Sequence, residues 1–160
     1  MKDDHDFRKF KDIVIDTGPL LILLTGFYGH GVKKFTKEKD DFKILVEFIK
    51  KYPNIFVTPQ VLAEVSNLAK REFGDYFEDF MNFSTKHILR FDEKYIDKNI
   101  LATKPELKLI KFGFTDSSLI EVATDGKLLL TNDIPLYHYC TNIGITSITI
   151  DVIKKYCRLS

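Results

Sequence analysis

Short apolar runs alternate along this chain with longer stretches in which apolar residues recur at helical spacing. The short runs are rich in Ile, Val and Leu, which is typical of strands buried on both faces of a sheet. They predict strands at residues 13–15, 55–57, 127–130 and 145–150, and a short edge strand at residues 88–91. The first strand ends at an acid, Asp16.

The longer stretches predict amphipathic helices between these strands. Helices are expected at residues 20–24, 41–52, 59–69, 73–83, 115–123, 134–140 and 152–159, with mixed helical character over residues 95–112. Thr58 followed by Pro59, and likewise Thr115, are typical of helix N-caps. Strands that alternate with helices favour a mainly parallel sheet. The pattern therefore predicts one domain over residues 1–160, a three-layer α/β/α sandwich with a mainly parallel central sheet.

Composition narrows the classes of protein that remain. The chain has 24 Lys and Arg against 23 Asp and Glu, so nucleic acid could bind only through a local basic patch or a metal. The longest purely apolar run, residues 20–24, is far shorter than the roughly 20 residues that cross a membrane. The polar, acidic first residues are not typical of a signal peptide, and Cys140 and Cys157 fit no zinc spacing. A reduced cytoplasmic protein that does not enter a membrane is expected.

Acids follow the predicted strands at several points. Asp16 and Asp133 come just after two of the strands, Asp116 lies in the first turn of a helix, and Glu64 can reach inward from its helix. Functional groups gather at the carboxyl edge of parallel sheets. Two carboxylates about 4 Å apart repel by roughly 4 kcal/mol at an effective dielectric near 20, and hard cations such as Mg²⁺ or Mn²⁺ remove that cost. The pattern predicts a metal site on these four acids.

The residues around the acids resemble the blocks of the PIN-domain family. The blocks run over residues 13–20 (IVIDTGPL), 57–65 (VTPQVLAEV), 115–123 (TDSSLIEVA) and 130–133 (LTND), in the family's order. The resemblance covers roughly residues 13–150. It implies the PIN fold, a divalent-metal site and cleavage of single-stranded RNA, as in VapC-type toxins and related nucleases.

The resemblance also assigns roles to particular residues. It implies that Asp16, Glu64, Asp116 and Asp133 are the catalytic metal ligands for Mg²⁺ or Mn²⁺. Thr131 would then orient the ligands from the second shell, where Thr17 could also lie. An antitoxin protein and a homodimer are further partners that the family implies. The chain departs from many members at Gly18, where they carry Ser or Asn. Its segment over residues 72–111 is longer than in the most compact toxins.

Other interpretations remain open at this stage. Lys33, Lys34 and Lys37 could contact a nucleic-acid backbone, or could simply form a solvated lysine-rich loop. The scattered histidines His5, His30, His87 and His138 suggest no catalytic arrangement. A PIN-like module that binds RNA or protein without cleaving it would keep the same blocks. A phosphatase with a nucleophile at Asp16 would commonly have a second Asp at position 18, which is Gly here.

Overall fold

The computed structural model describes the backbone of residues 7–159 and the side chains of residues 7–156. The predictions that concern His5, the first six residues and the side chain of Cys157 lie outside these residues. The strands are β1 (Asp12–Ile15), β2 (Asn54–Val57), β3 (Asp92–Glu93), β4 (Leu128–Leu130) and β5 (Ser147–Ile148). The helices are α1 (Thr17–Tyr28), α2 (Asp41–Ile49), α3 (Pro59–Phe73), α4 (Phe77–Ile88), α5 (Lys98–Thr103), α6 (Leu109–Thr124), α7 (Ile134–Asn142) and α8 (Ile150–Leu159).

The five strands form one sheet in the order β3-β2-β1-β4-β5, and every pair is parallel. The predicted α/β class with a parallel sheet is confirmed. All residues of β1 after Asp12, and all residues of β4, are fully buried, which is why these segments read as continuous apolar runs. Helices cover both faces of the sheet, in the manner of a three-layer sandwich. All carboxyl ends of the strands therefore lie on one edge.

Two element predictions near the ends of strands were wrong. Residues 88–91 do not form a strand, since α4 continues to Ile88 and the edge strand is Asp92–Glu93. The first helix begins at Thr17 and runs to Tyr28, so Gly18 and Pro19 lie within its first turn. Proline is compatible with a first turn because the N–H that it lacks would have no partner within the helix.

Helix α6 contains a sharp break before the predicted site residue Asp116. Gly113 has φ 81° and ψ 179°, a backbone conformation that L side chains rarely adopt. The break separates a short turn that begins at Leu109 from the long segment that carries Asp116. Over residues 7–159, no helix has both the length and the apolar content that crossing a membrane requires.

Candidate metal centre

The predicted site acids lie at the carboxyl edge of the sheet. Asp16 directly follows β1 and caps α1, and Asp133 follows the neighbouring strand β4 by three residues and caps α7. Glu64 lies on α3, which begins just after β2, and Asp116 lies on α6. Parallel pairing of β1 with both neighbours brings these segments to the same edge.

Asp16 is the most enclosed of the acids, with 7% of its surface exposed. Its Oδ1 accepts the backbone N–H of Thr17 at 2.6 Å, and its Oδ2 accepts the hydroxyl of Thr131 at 2.7 Å. The pKa of Asp16 is raised to about 6. Burial is the largest cause, the hydrogen bonds from Thr131 and Thr17 oppose it, and the charges of Glu64 and Asp133 add to the rise. The carboxylate is fixed in orientation but costly to ionise.

Asp116 experiences the charges of all three other acids. Its pKa is raised to about 7, first by burial and then by the neighbouring charges of Asp16, Asp133 and Glu64, in that order. The carboxylate accepts no hydrogen bond from the residues that the structure describes. Four acids from separate segments are thus close enough to act on one another electrostatically.

Glu64 is held by a residue whose role the sequence did not reveal. Its Oε2 accepts the hydroxyl of Thr115 at 2.6 Å. The prediction that Thr115 caps a helix was wrong, because its hydroxyl reaches across to α3 instead of binding a backbone N–H. Ser118 joins the same network, donating to the Thr115 carbonyl at 2.6 Å or to the Thr58 hydroxyl at 2.9 Å. The only sequence signal for the role of Thr115 at the site was that this polar residue directly precedes Asp116.

Thr131 connects two of the acids. Its hydroxyl donates to Asp16 and accepts the backbone N–H of Asp133 at 3.0 Å, while Oδ1 of Asp133 accepts the N–H of Leu136, also at 3.0 Å. Thr131 is fully buried. Thr131 thus contacts the carboxylate of Asp16 and the backbone N–H of Asp133. The resemblance implies an orienting residue at this position.

The donor chemistry of this edge fits a hard divalent cation. Carboxylates are the preferred ligands of Mg²⁺ and Mn²⁺, and their mutual repulsion is the energy that a cation would relieve. The buried hydroxyl of Thr17, beside Asp16, has no hydrogen-bond partner among residues 7–156, which leaves a polar atom at the site to be satisfied. The residues that would hold the ion are Asp16, Glu64, Asp116 and Asp133.

The side chains are not gathered into a coordination shell in this conformation. Within the described part of the chain, no three His, Cys, Asp or Glu side chains lie close enough together to hold a metal ion. Glu64 is bound to Thr115, and Asp133 is bound to the start of α7. Coordination by all four acids would require the side chains to move closer together.

The three lysines predicted to contact nucleic acid lie away from the acids. They follow the C-terminal end of α1, whereas Asp16 caps its N-terminal end, and a helix of 12 residues is about 18 Å long. Lys34 forms an ion pair with Glu72 at 2.9 Å, and Lys37 approaches Asp151 at 3.9 Å. Lys33 is exposed. The structure does not bring these residues to the site.

The raised pKa values predict how the metal-free protein responds to pH. In the folded state Asp16 and Asp116 hold protons up to about pH 6 and 7, against an ordinary value of 3.8. Their contribution to stability is present below pH 3.8 and is lost as pH rises through 6 to 7. We expect the free energy of unfolding in EDTA to fall by about 3 kcal/mol between pH 5 and pH 8. This is less than the two pKa shifts would give in full, because Asp116 is partly exposed and solvent screens its charge.

Urea unfolding at both pH values measures this change. The doubly substituted protein Asp16→Asn, Asp116→Asn should show little of the decline, and Mn²⁺ should reverse it in the unsubstituted protein at pH 8. A metal-free protein that is more stable at pH 8 than at pH 5 would contradict the electrostatic arrangement.

Substitution of Thr131 by Val tests its link between Asp16 and Asp133. Val matches the shape of Thr but leaves Oδ2 of Asp16 without a donor and the Asp133 N–H without an acceptor. We expect a loss of about 1–3 kcal/mol in the free energy of unfolding, measured in urea at pH 8. Thr131→Ser, which keeps the hydroxyl, is the control. Equal losses in the two variants would show that only the side-chain packing matters.

Comparison with known proteins adds no family assignment. No model of a known protein family matches the sequence, and no curated protein matches it significantly. The resemblance to the PIN family therefore depends on the four sequence blocks alone.

Proposed function

We propose that this chain is a divalent-metal-dependent endoribonuclease that uses Mg²⁺ or Mn²⁺. The observation that carries the proposal is the position of Asp116, whose pKa is raised to about 7 by burial and by the charges of three other acids from separate segments. Such a concentration of negative charge destabilises the fold on its own and is stabilised by a cation. Perturbed acids of this kind are typical of functional sites.

The chain's own residues would position the substrate and the ion. Helices α1 and α7 begin at Asp16 and Asp133, so their N-termini direct partial positive charge and backbone N–H groups toward this edge. Helix N-termini of this kind attract phosphate groups. A bound Mg²⁺ or Mn²⁺ supplies an activated water and neutralises charge on the phosphate. Attack of that water on the phosphorus, with departure of the 3′ oxygen and its protonation, would leave a 5′-phosphate and a 3′-hydroxyl, the products that the PIN resemblance implies.

The proposal extends to the partners and location that the family resemblance implies. Single-stranded or structured RNA is the proposed substrate, the cytoplasm is the proposed location, and an antitoxin protein and a second copy of the chain are the proposed protein partners. A nucleophilic role for Asp16 is less well supported, because both of its oxygens already accept hydrogen bonds and its side chain is buried.

A second function is a PIN-like module that binds RNA or protein without cutting it. The observation that favours it is the lack of three gathered metal-binding side chains among the described residues. The two functions differ in one assay. End-labelled single-stranded RNA incubated with protein and Mn²⁺ should be cut, and EDTA should stop the cutting. RNA retained on the protein without cleavage, at every metal concentration tried, would support the binding module instead.

A further inference from the structure

In the loop between β4 and α7, the side chains of three consecutive residues contact three different parts of the fold. Thr131 binds Asp16 at the end of β1, and Asp133 caps α7. Asn132, between them, turns to a third element: its Oδ1 accepts the backbone N–H of Ile150 at 3.2 Å. Ile150 is the first residue of α8.

The contact from Asn132 serves a backbone group that the helix itself cannot satisfy. The first N–H groups of a helix have no carbonyl partner within it. Thr149 binds another of these N–H groups, because its hydroxyl accepts the N–H of Val152 at 3.2 Å. Thr149 and Ile150 are both buried, so water does not readily replace either bond. Asn132 is thus a cap for α8 supplied by the loop that carries Asp133.

Helix α8 is a firm support for that loop. It packs on α2, and Lys154 of α8 forms a buried ion pair with Asp41 of α2. The loop is also held at Thr131, whose N–H donates to the carbonyl of Ile148 at 3.0 Å. Without Asn132, the backbone between Thr131 and Asp133 would keep its attachment to β5 but lose its attachment to α8.

We propose that Asn132 is a positioning residue, which fixes the Asp133 carboxylate and the Thr131 hydroxyl by fastening their loop to the start of α8. Its effect on metal binding depends on the proposed function. Its effect on the loop does not. This difference allows the two to be tested separately.

The first test is amide hydrogen exchange in the metal-free protein, measured by NMR. In Asn132→Ala the amide of Asp133 should exchange at least about tenfold faster than in the unsubstituted protein. Thr149→Val is the matched control, because it removes the neighbouring cap of α8 without touching the loop, and it should leave that amide unchanged. An unchanged rate in Asn132→Ala, or an equal increase in Thr149→Val, would overturn the proposal.

Should Asn132→Ala fail to fold, Ile150→Pro removes the same hydrogen bond from the donor side. Proline is well tolerated at the first position of a helix. This variant should show the same faster exchange at Asp133, and an unchanged rate would again overturn the proposal.

The second test is Mn²⁺ titration of the same variants. Orienting groups of metal ligands typically change metal affinity by 10–100-fold, so we expect the Kd for Mn²⁺ to rise by about that factor in Asn132→Ala and to stay within about twofold in Thr149→Val. Unweakened binding in Asn132→Ala would overturn its role at the metal centre. If the unsubstituted protein bound no Mn²⁺, the proposed function would fail, and the exchange measurement would still decide whether Asn132 positions the loop.

Discussion

Asp116→Asn is expected to lower kcat/KM for Mn²⁺-dependent RNA cleavage by at least about 100-fold. Asn keeps the shape of Asp but lacks the negative charge that a hard cation requires. The loss should be large because Asp116 accepts no hydrogen bond from the described residues, so both of its oxygens are available to a cation. Initial rates on a labelled single-stranded RNA at saturating Mn²⁺ measure the effect.

The same substitution should leave the metal-free fold intact. It removes one of four mutually repelling charges, so the free energy of unfolding at pH 8 in EDTA should be unchanged or higher. Asp125→Asn is the matched control, since Asp125 lies at the opposite end of the same helix with 87% of its side chain exposed. An Asp116→Asn protein that cuts RNA at the normal rate, or that fails to fold, would contradict the assignment.

Lys154→Met is expected to lower the free energy of unfolding by about 3–5 kcal/mol, the typical effect of removing one partner from a buried ion pair. Lys154 and Asp41 are 5% and 3% exposed and form an ion pair between α8 and α2. Glu38 lies 3.1 Å from the same ammonium. Burial alone would raise the pKa of Asp41, but Lys154 and the backbone N–H groups of Glu38 and Lys37 outweigh it, and the pKa is lowered.

Urea unfolding near neutral pH measures this loss, because Asp41 is fully ionised there and its favourable contribution is lost only as pH falls through its lowered pKa. Lys155→Met is the control, since Lys155 is the exposed neighbour on the same helix. A surface substitution of this kind typically changes stability by less than about 0.5 kcal/mol. Similar losses in the two variants would show that the buried pair contributes little.

The strands and the edge where the acids meet could be predicted from the sequence because central parallel strands are apolar throughout. Ile13–Ile15 and Leu128–Leu130 stand out for this reason, and the residues that follow them necessarily share one edge. The edge strand Asp92–Glu93 is only two exposed residues long, so it has no apolar pattern to detect. Its pairing with β2 depends on backbone hydrogen bonds alone.

The partners of the site residues could not be predicted in the same way. The hydroxyl of Thr115 had two chemically reasonable partners: it could accept a helix N–H nearby in the chain or donate to a carboxylate 51 positions away. Only the packing of α6 on α3 selects Glu64. The pair of Lys154 with Asp41 likewise joins residues far apart in the chain. The sequence pattern places residues on elements, whereas contacts between elements depend on how those elements pack.

The most direct test of the metal centre is isothermal titration of Mn²⁺ at pH 8, where Asp16 and Asp116 are ionised, with and without a non-cleavable single-stranded RNA analogue. We expect saturable binding to the unsubstituted protein and to Asp125→Asn, and loss of that binding in Asp116→Asn. No binding to the unsubstituted protein under either condition, or equal binding to Asp116→Asn, would contradict this expectation.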